Sequence, residues 1–142
     1  MPRNAEDVEN FLYQLNRHFE RDQDSFVVSS GAGRPPVAVM VADPIVVVRT
    51  AIGEIPEDVE RQNAVFKQLL RYNGTDLVHA TYALEDDHRI VLTAGLELEN
   101  LDLNELAAVL SDIEVALARH VSTLRALATG TTPPASQEQT AS

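Results

Sequence analysis

Residues 72–127 have the sequence YNGTDLVHATYALEDDHRIVLTAGLELENLDLNELAAVLSDIEVALARHVSTLRAL, which predicts two strands followed by one long helix. Apolar residues recur at steps of three and four over residues 103–124, the pattern of a helix with one apolar face. Asp102 is a candidate N-cap for this helix, and Glu105 stands at the reciprocal position of a capping box. An apolar stripe about seven turns long needs a broader surface than one hairpin provides. The rest of the chain is therefore expected to supply further strands.

The remaining sequence predicts two more helices and three more strands, separated by turns rich in Gly and Pro. Each of these helices has an amphipathic pattern and a candidate cap or a starting proline. In chain order, the predicted elements are a helix from Asn4 to about Arg21 or Asp22, strands at residues 25–30, 37–42 and 45–48, a helix from Pro56 to the Asn73-Gly74 end signal, strands at 76–84 and 88–98, and a helix at 103–127.

This order predicts a single α+β domain, α-β-β-β-α-β-β-α, with an antiparallel sheet covered by helices on one face. The domain is predicted to occupy residues 1–128. Residues 129–142 contain no large apolar side chain and are predicted to form a disordered C-terminal tail, because nothing in them can anchor to a core.

Two of the predicted strands have more apolar surface than the helices can cover. Residues 37–42 and 45–48 are apolar at every position, and strands without polar alternation are usually covered on both faces. Three helices can cover only one face, so we expect a second copy of the chain to cover the other. The sequence therefore predicts a homodimer, with the second helix and the sheet as the expected contact elements.

The overall charge limits the classes of partner. The chain of 142 residues has a formal net charge of −11. A surface this acidic repels phosphate backbones and anionic lipid head groups, so neither nucleic acid nor a membrane is an expected partner. The first residues lack the apolar core of a signal peptide, and the expected location is the cytoplasm.

The sequence contains no recognisable constellation for catalysis, a metal or a cofactor. It has no cysteine, which excludes thiolate catalysis and cysteine zinc sites. The four histidines do not have the spacing of metal ligands on one helix face. Asp86-Asp87-His88 lies between two predicted strands, where a turn accounts for its composition. The chain is therefore predicted not to be an enzyme and to use no cofactor or metal.

Three segments of the second half resemble successive landmarks of one fold. They are LLRYN at residues 69–73, YALEDD at 82–87 followed by IVL at 90–92, and LELENLDL at 96–103 followed by Leu106. These segments and the order of elements are similar to the fold shared by class I type III secretion chaperones and the bacterial YbjN-like proteins. The resemblance implies a homodimer without enzymatic activity. Such a protein holds a segment of another protein against an apolar surface or has a regulatory role.

The predicted partner-binding surface combines the first helix with the first strand, through Phe11, Leu12, Leu15, Phe26 and Val28. Two interpretations of the helix stay open. Its apolar face packs on the sheet, or part of that face, especially Phe11 and Leu15, stays accessible as a groove for a partner segment.

A small-molecule sensor or ligand-binding domain is the alternative function. Its ligand would lie beneath the loop at residues 31–36, in which glycines and prolines surround Arg34. This loop leads into a predicted strand and not into a helix N-terminus, so it lacks the usual phosphate-binding arrangement. The sequence leaves the ligand of such a domain open.

Overall fold

The computed structural model describes residues 4–31 and 33–130. In that part of the chain the elements are α1 (Ala5–Gln14), β1 (Phe19–Asp22), β2 (Ser25–Val28), β3 (Val37–Ala42), β4 (Ile45–Glu54), α2 (Val59–Thr75), β5 (Thr81–Glu85), β6 (Arg89–Glu97) and α3 (Leu103–Thr129). The strands form one antiparallel sheet in the order β1-β2-β3-β4-β6-β5. The predicted α+β class is confirmed, and the sheet has one strand more than predicted.

The additional strand, β1, replaces the end of the first predicted helix. α1 ends at Gln14, so the expected end near residues 21–22 is wrong. Asn16 has a φ of 58°, a left-handed conformation that asparagine tolerates and a continuing helix excludes. Phe19 then lies in a strand, with its ring 5.7 Å from the ring of Phe26. The sequence pattern suggested a helix through Phe19 because this residue fits the core-facing side of a helix as well as that of a strand.

Helix α2 also differs from the prediction at both ends. Asp58 caps it, because the Arg61 N–H donates to the Asp58 carboxylate at 3.1 Å, so the helix does not begin at Pro56. Gly74 lies inside the helix, which continues to Thr75, and the predicted glycine cap is wrong.

Side chains alternate between the two faces of the sheet along each strand. One of these faces is covered and the other is open. The helices lie on the covered face, as predicted, and their inward residues join it in one core. On the open face, Val27 and Ile45 are exposed, and Met40 and Val47 are half-buried. The buried strand residues on the covered face are Phe26, Val28, Val37, Val39, Val46, Val48, Thr50, Tyr82, Ile90, Leu92 and Ala94.

Helix α3 begins as the sequence predicts. The Glu105 N–H donates to Asp102 Oδ1 at 2.7 Å, and the Asp102 N–H donates to Glu105 Oε1 at 3.3 Å, which confirms the capping box. The helix continues through Thr129 to Gly130, whose φ of 78° forms a left-handed cap. Thr129 therefore belongs to α3, and the rest of the predicted tail, residues 131–142, lies outside the described residues.

Asp112 of α3 holds the segment before β5, which the sequence predicted as part of a strand. Its Oδ2 accepts the N–H groups of Val78, His79 and Ala80 at 3.3, 2.9 and 2.9 Å. Since a hydrogen bond to a charged group contributes roughly 1.5–3 kcal/mol, we expect Asp112→Ala to lower the free energy of unfolding by about 2 kcal/mol. Urea unfolding measures this, with Ser111→Ala, an exposed neighbour, as the control. Equal midpoints for the two variants would contradict the assignment.

Candidate functional site

Helix α2 carries two apolar stripes. Val65 and Leu69 form the inward stripe and are 0% and 7% exposed. Val59, Phe66 and Leu70 recur at helical spacing on a different face. Val59 and Leu70 are 65% and 72% exposed, and Phe66 is half-buried. A row of large exposed apolar side chains on one helix face is typical of a surface that another protein covers.

A groove of about 270 Å³ lies between the outward stripe and the edge strand β5. Leu84 of β5 is 44% exposed and extends the apolar surface from the helix to the strand. We call Val59, Phe66, Leu70 and Leu84, with the groove between them, the α2–β5 surface. None of the side chains that line the groove is charged. They are Phe66, Leu69, Leu70, Asn73, Tyr82, Ala83 and Leu84.

Asn73 fixes the distance between α2 and β5. The Tyr82 N–H donates to Asn73 Oδ1 at 2.7 Å, and Asn73 Nδ2 donates to the Tyr82 carbonyl at 3.2 Å. The amide thus pairs with the backbone of an edge strand as a neighbouring strand would. Because both groups of the Tyr82 backbone are satisfied, this wall of the groove is held in place.

A polar network next to the groove joins the end of α2, β5 and α3. His120 is 2% exposed, and its Nδ1 lies 2.7 Å from the Tyr82 hydroxyl and its Nε2 2.9 Å from Asp76 Oδ2. The Tyr72 ring stacks on the imidazole, with centroids 3.5 Å apart and planes 7° apart. With Asp76 ionised, Nε2–H donates to the carboxylate and the Tyr82 hydroxyl donates to Nδ1. Both nitrogens of the imidazole are satisfied, so the network acts as a structural tie.

Burial, hydrogen bonds and nearby charges together set the pKa values of this network. Burial lowers the pKa of His120 below the ordinary 6.5, and this effect outweighs the hydrogen bond and the charge of Asp76, which raise that pKa. Burial also raises the pKa of the Tyr82 hydroxyl far above its ordinary range. For Asp76, burial raises the pKa, but hydrogen bonds from His120 and Thr75 and the charges of His120 and Arg119 leave it below the ordinary 3.8.

We expect the protein to lose stability as the pH falls from about 7 through 6.5 toward the lower folded pKa of His120. Between 6.5 and its lower folded pKa, His120 is protonated only in the unfolded chain, so unfolding takes up a proton and becomes easier as the pH falls. Below pH 3.8, the carboxylate of Asp76 is protonated more readily in the unfolded chain than in the folded one, so it also makes the protein less stable as the pH falls. Thermal unfolding across this range measures the effect. His120→Gln should flatten it, and His18→Gln, which removes an exposed imidazole, is the control. An unchanged slope in His120→Gln would contradict the assignment.

The open face of the sheet offers a second apolar surface. Val27 and Ile45 are 50% and 43% exposed. At the β1–β2 end, Val27 lines a depression of about 340 Å³ together with polar residues that include Glu20 and Ser29. Toward β5 the face becomes polar, since Arg49 Nε donates to Glu85 Oε2 at 3.0 Å.

A sequence model of CesT_Tir_1, the type III secretion chaperone family, matches residues 1–130. The chain belongs to the CesT_Tir_1 family. The resemblance drawn from residues 69–106 is thereby confirmed for the fold. No curated protein matches the chain.

Solved structures with the same fold include proteins of type III secretion systems. A chain of the heterodimeric ExoU–SpcU complex of the Pseudomonas aeruginosa type III secretion system is 19% identical with a TM-score of 0.66, covering 82% of this chain and 96% of that one. YbjN of E. coli is 15% identical with a TM-score of 0.60 and coverages of 91% and 95%. The Yersinia pestis secretion chaperone SycH, solved with a fragment of YscM2, is 19% identical with a TM-score of 0.55 and coverages of 80% and 98%. These likenesses show the fold.

In this CesT_Tir_1 chain, the predicted partner-binding residues fall into two groups. Leu12, Phe26 and Val28 are 0%, 0% and 1% exposed, so a partner cannot contact them while the domain stays folded. Phe11 and Leu15 are half-buried at the edge of the core. A partner surface on α1 therefore stays a prediction, narrowed to these two side chains.

Sequence reasoning missed the outward stripe of α2 because it gave this helix a single amphipathic pattern, with one apolar side. A helix turns by about 100° per residue, which separates Val59, Phe66 and Leu70 from the face of Val65 and Leu69. A helical projection of this segment carries the signal that was missed.

A pocket of about 180 Å³ lies between residues 33–35 and α3, in the region where the alternative function places a ligand. We call it the loop–α3 pocket. Its lining residues are Gly33, Arg34, Pro35, Leu117, Ala118, Val121, Ser122 and Arg125.

Residues 4–31 and 33–130 contain neither a group of metal-ligand side chains nor a helix that could span a membrane. No three His, Cys, Asp or Glu side chains there are placed to hold a metal ion. No helix of that part of this CesT_Tir_1 chain is both long and apolar enough to cross a membrane.

Proposed function

We propose that this protein is a non-enzymatic, homodimeric protein-binding module, chaperone-like or regulatory, which holds a segment of a partner protein on an apolar surface. The observation that carries the dimer is the uncharged α2–β5 groove beside an exposed apolar stripe, and the partly accessible edge of α1 supports the partner surface. Membership of a secretion chaperone family supports it. Similar folds in the ExoU–SpcU complex and in SycH bound to a YscM2 fragment also support it.

The proposed dimer uses the α2–β5 surface of both copies. Association costs roughly 4–15 kcal/mol, and fully burying one Leu or Phe contributes roughly 1.5–3 kcal/mol, so several large apolar side chains must be buried together. One copy supplies Val59, Phe66, Leu70 and Leu84. A twofold axis brings the same four from the second copy, which is enough for a stable dimer.

The partner segment is proposed to bind elsewhere, beside α1. Phe11 and Leu15 keep part of their surface accessible, and Tyr13 is 63% exposed with its ring 5.0 Å from that of Phe19. This aromatic and aliphatic edge suits an apolar segment of another chain. The acidic surface would favour partners with basic flanks through long-range attraction that weakens with salt.

Two measurements test the proposed function. Light scattering at micromolar concentration should give twice the chain mass of 15.6 kDa, and a mass near 15.6 kDa would exclude the dimer. Capture from the native lysate followed by mass spectrometry should recover one dominant protein partner. Recovery of a metabolite without a protein would favour the alternative.

The alternative, a small-molecule sensor or ligand-binding domain, has its own support. The loop–α3 pocket lies where the sequence placed a ligand, and it is separate from the α2–β5 surface. The two functions can therefore coexist in one chain, and each can be tested while the other is intact.

A further inference from the structure

The loop–α3 pocket has a local charge opposite to that of the chain. The sequence has 22 Asp and Glu against 11 Lys and Arg, yet among the described residues that line this pocket none is acidic and two are arginines, Arg34 and Arg125. Elsewhere, Arg17, Arg21 and Arg49 each hold a carboxylate. Within the described part of the chain, no carboxylate lies within ion-pair distance of the Arg34 or Arg125 guanidinium. The pocket is therefore a positive site on an acidic protein.

The floor of the pocket is apolar. Leu117 is 3% exposed, Val121 and Pro35 are half-buried, and all three line the pocket. An inorganic anion would contact the two guanidinium groups and leave this floor uncovered. An organic anion gains the charge contacts and also buries apolar surface, which is favourable in water.

The size of the pocket limits the ligand further. Its volume of about 180 Å³ is below the roughly 300–1,000 Å³ of pockets for drug-sized molecules. It suits a small molecule or the last side chain of a peptide. Guanidinium groups bind both carboxylates and phosphates through paired N–H donors, and of the two the smaller carboxylate leaves more of a volume of about 180 Å³ for an apolar body.

We propose that this pocket binds a small organic carboxylate. Arg34 and Arg125 hold its carboxylate, and Pro35, Leu117 and Val121 contact its apolar body. The proposal rests on the ligand-binding alternative given above and is independent of dimerisation through α2. The same chemistry is offered by a free carboxylic acid and by the C-terminal carboxylate of a peptide that ends in an apolar residue.

The test uses 3-phenylpropanoate as the probe and amide NMR shifts of the full chain as the readout. Saturable shifts are expected at Gly33 and Leu117, and they should weaken as salt is added. Arg34→Gln and Arg125→Gln should each weaken binding about tenfold or more, the effect of losing a hydrogen bond to a charged group. Arg71→Gln, an exposed arginine of α2, is the matched control and should bind as the wild type does.

Two further probes separate charge from shape. 3-Phenylpropanamide lacks the charge and should not bind, and inorganic phosphate lacks the apolar body and should bind at least tenfold more weakly than the acid. The proposal would be overturned if either probe bound as tightly as the acid. It would also be overturned if the acid gave no saturable shifts, or if both arginine variants bound the acid as the wild type does.

A short peptide ending in phenylalanine, with a free or an amidated C-terminus, distinguishes the two sources. Binding of the free peptide more tightly than the acid assigns the pocket to protein C-termini. Tighter binding of the acid assigns it to a metabolite. Light scattering on the same samples keeps the result separate from the proposed dimer, because loss of the probe site leaves the oligomeric mass unchanged.

Discussion

Leu70→Asp is expected to convert the proposed homodimer into a folded monomer. Leu70 is 72% exposed in one copy and lines the uncharged α2–β5 groove. In the dimer it is buried against the second copy, so the substitution places an unpaired carboxylate in an apolar contact. The monomer tolerates the charge, because there the side chain at this position is in water.

Symmetry makes the expected effect large. Each dimer contains the substitution twice, and loss of two buried Leu side chains at roughly 1.5–3 kcal/mol each corresponds to a dissociation constant at least about a hundredfold higher. Light scattering over a dilution series measures it, with circular dichroism to verify the fold. Val115→Asp, at a position 46% exposed on α3, is the matched control. A Leu70→Asp chain that keeps the wild-type dimer would place the interface elsewhere.

Leu12→Asp is expected to abolish folding, whereas Phe11→Asp and Leu15→Asp are expected to leave the domain folded. Leu12 is 0% exposed, and replacing a core leucine with a charged residue removes a packing group and buries a charge, at a cost of more than about 4–5 kcal/mol. Phe11 and Leu15 are half-buried, so the carboxylate of an aspartate at either position can reach water.

The same two variants test the partner surface on α1. Phe11→Asp and Leu15→Asp should weaken capture of the partner about tenfold or more, since burying one such side chain is worth roughly 1.5–3 kcal/mol. Glu9→Ala removes a charge from the same helix and should have little effect on affinity. If Phe11→Asp and Leu15→Asp unfold the domain, α1 is structural only. If they leave both fold and capture intact, the partner binds elsewhere.

The second half of the fold was predictable from local sequence signals. The capping box of Asp102 and Glu105 and the apolar stripe of α3 are contained in contiguous residues, so no distant contact is needed to recognise them. The acidic hairpin turn is a similar case. Asp86 and Asp87 have φ values of 54° and 63°, a left-handed conformation that Asp adopts more readily than most residues.

Other features depend on contacts between distant residues. Asp76 and His120 are 44 positions apart, and no local pattern indicates that the fold brings them together. β1 was missed because Phe19 suits a helix face and a strand face equally. Leu12 was included among the candidate partner residues for a related reason, since the amphipathic pattern of α1 identifies the core side of the helix and not which of its members the sheet covers completely.

The amide of Asn73 also determines how this protein can associate. An edge strand with free backbone groups is a template on which further chains can add, and such addition has no natural end. Because Asn73 occupies the N–H and carbonyl of Tyr82, β5 cannot add a further strand at that residue. The proposed dimer contact on this side is then made through side chains, and a twofold axis closes it after two copies. One asparagine thereby lowers the tendency of this edge to act as a template for open-ended addition.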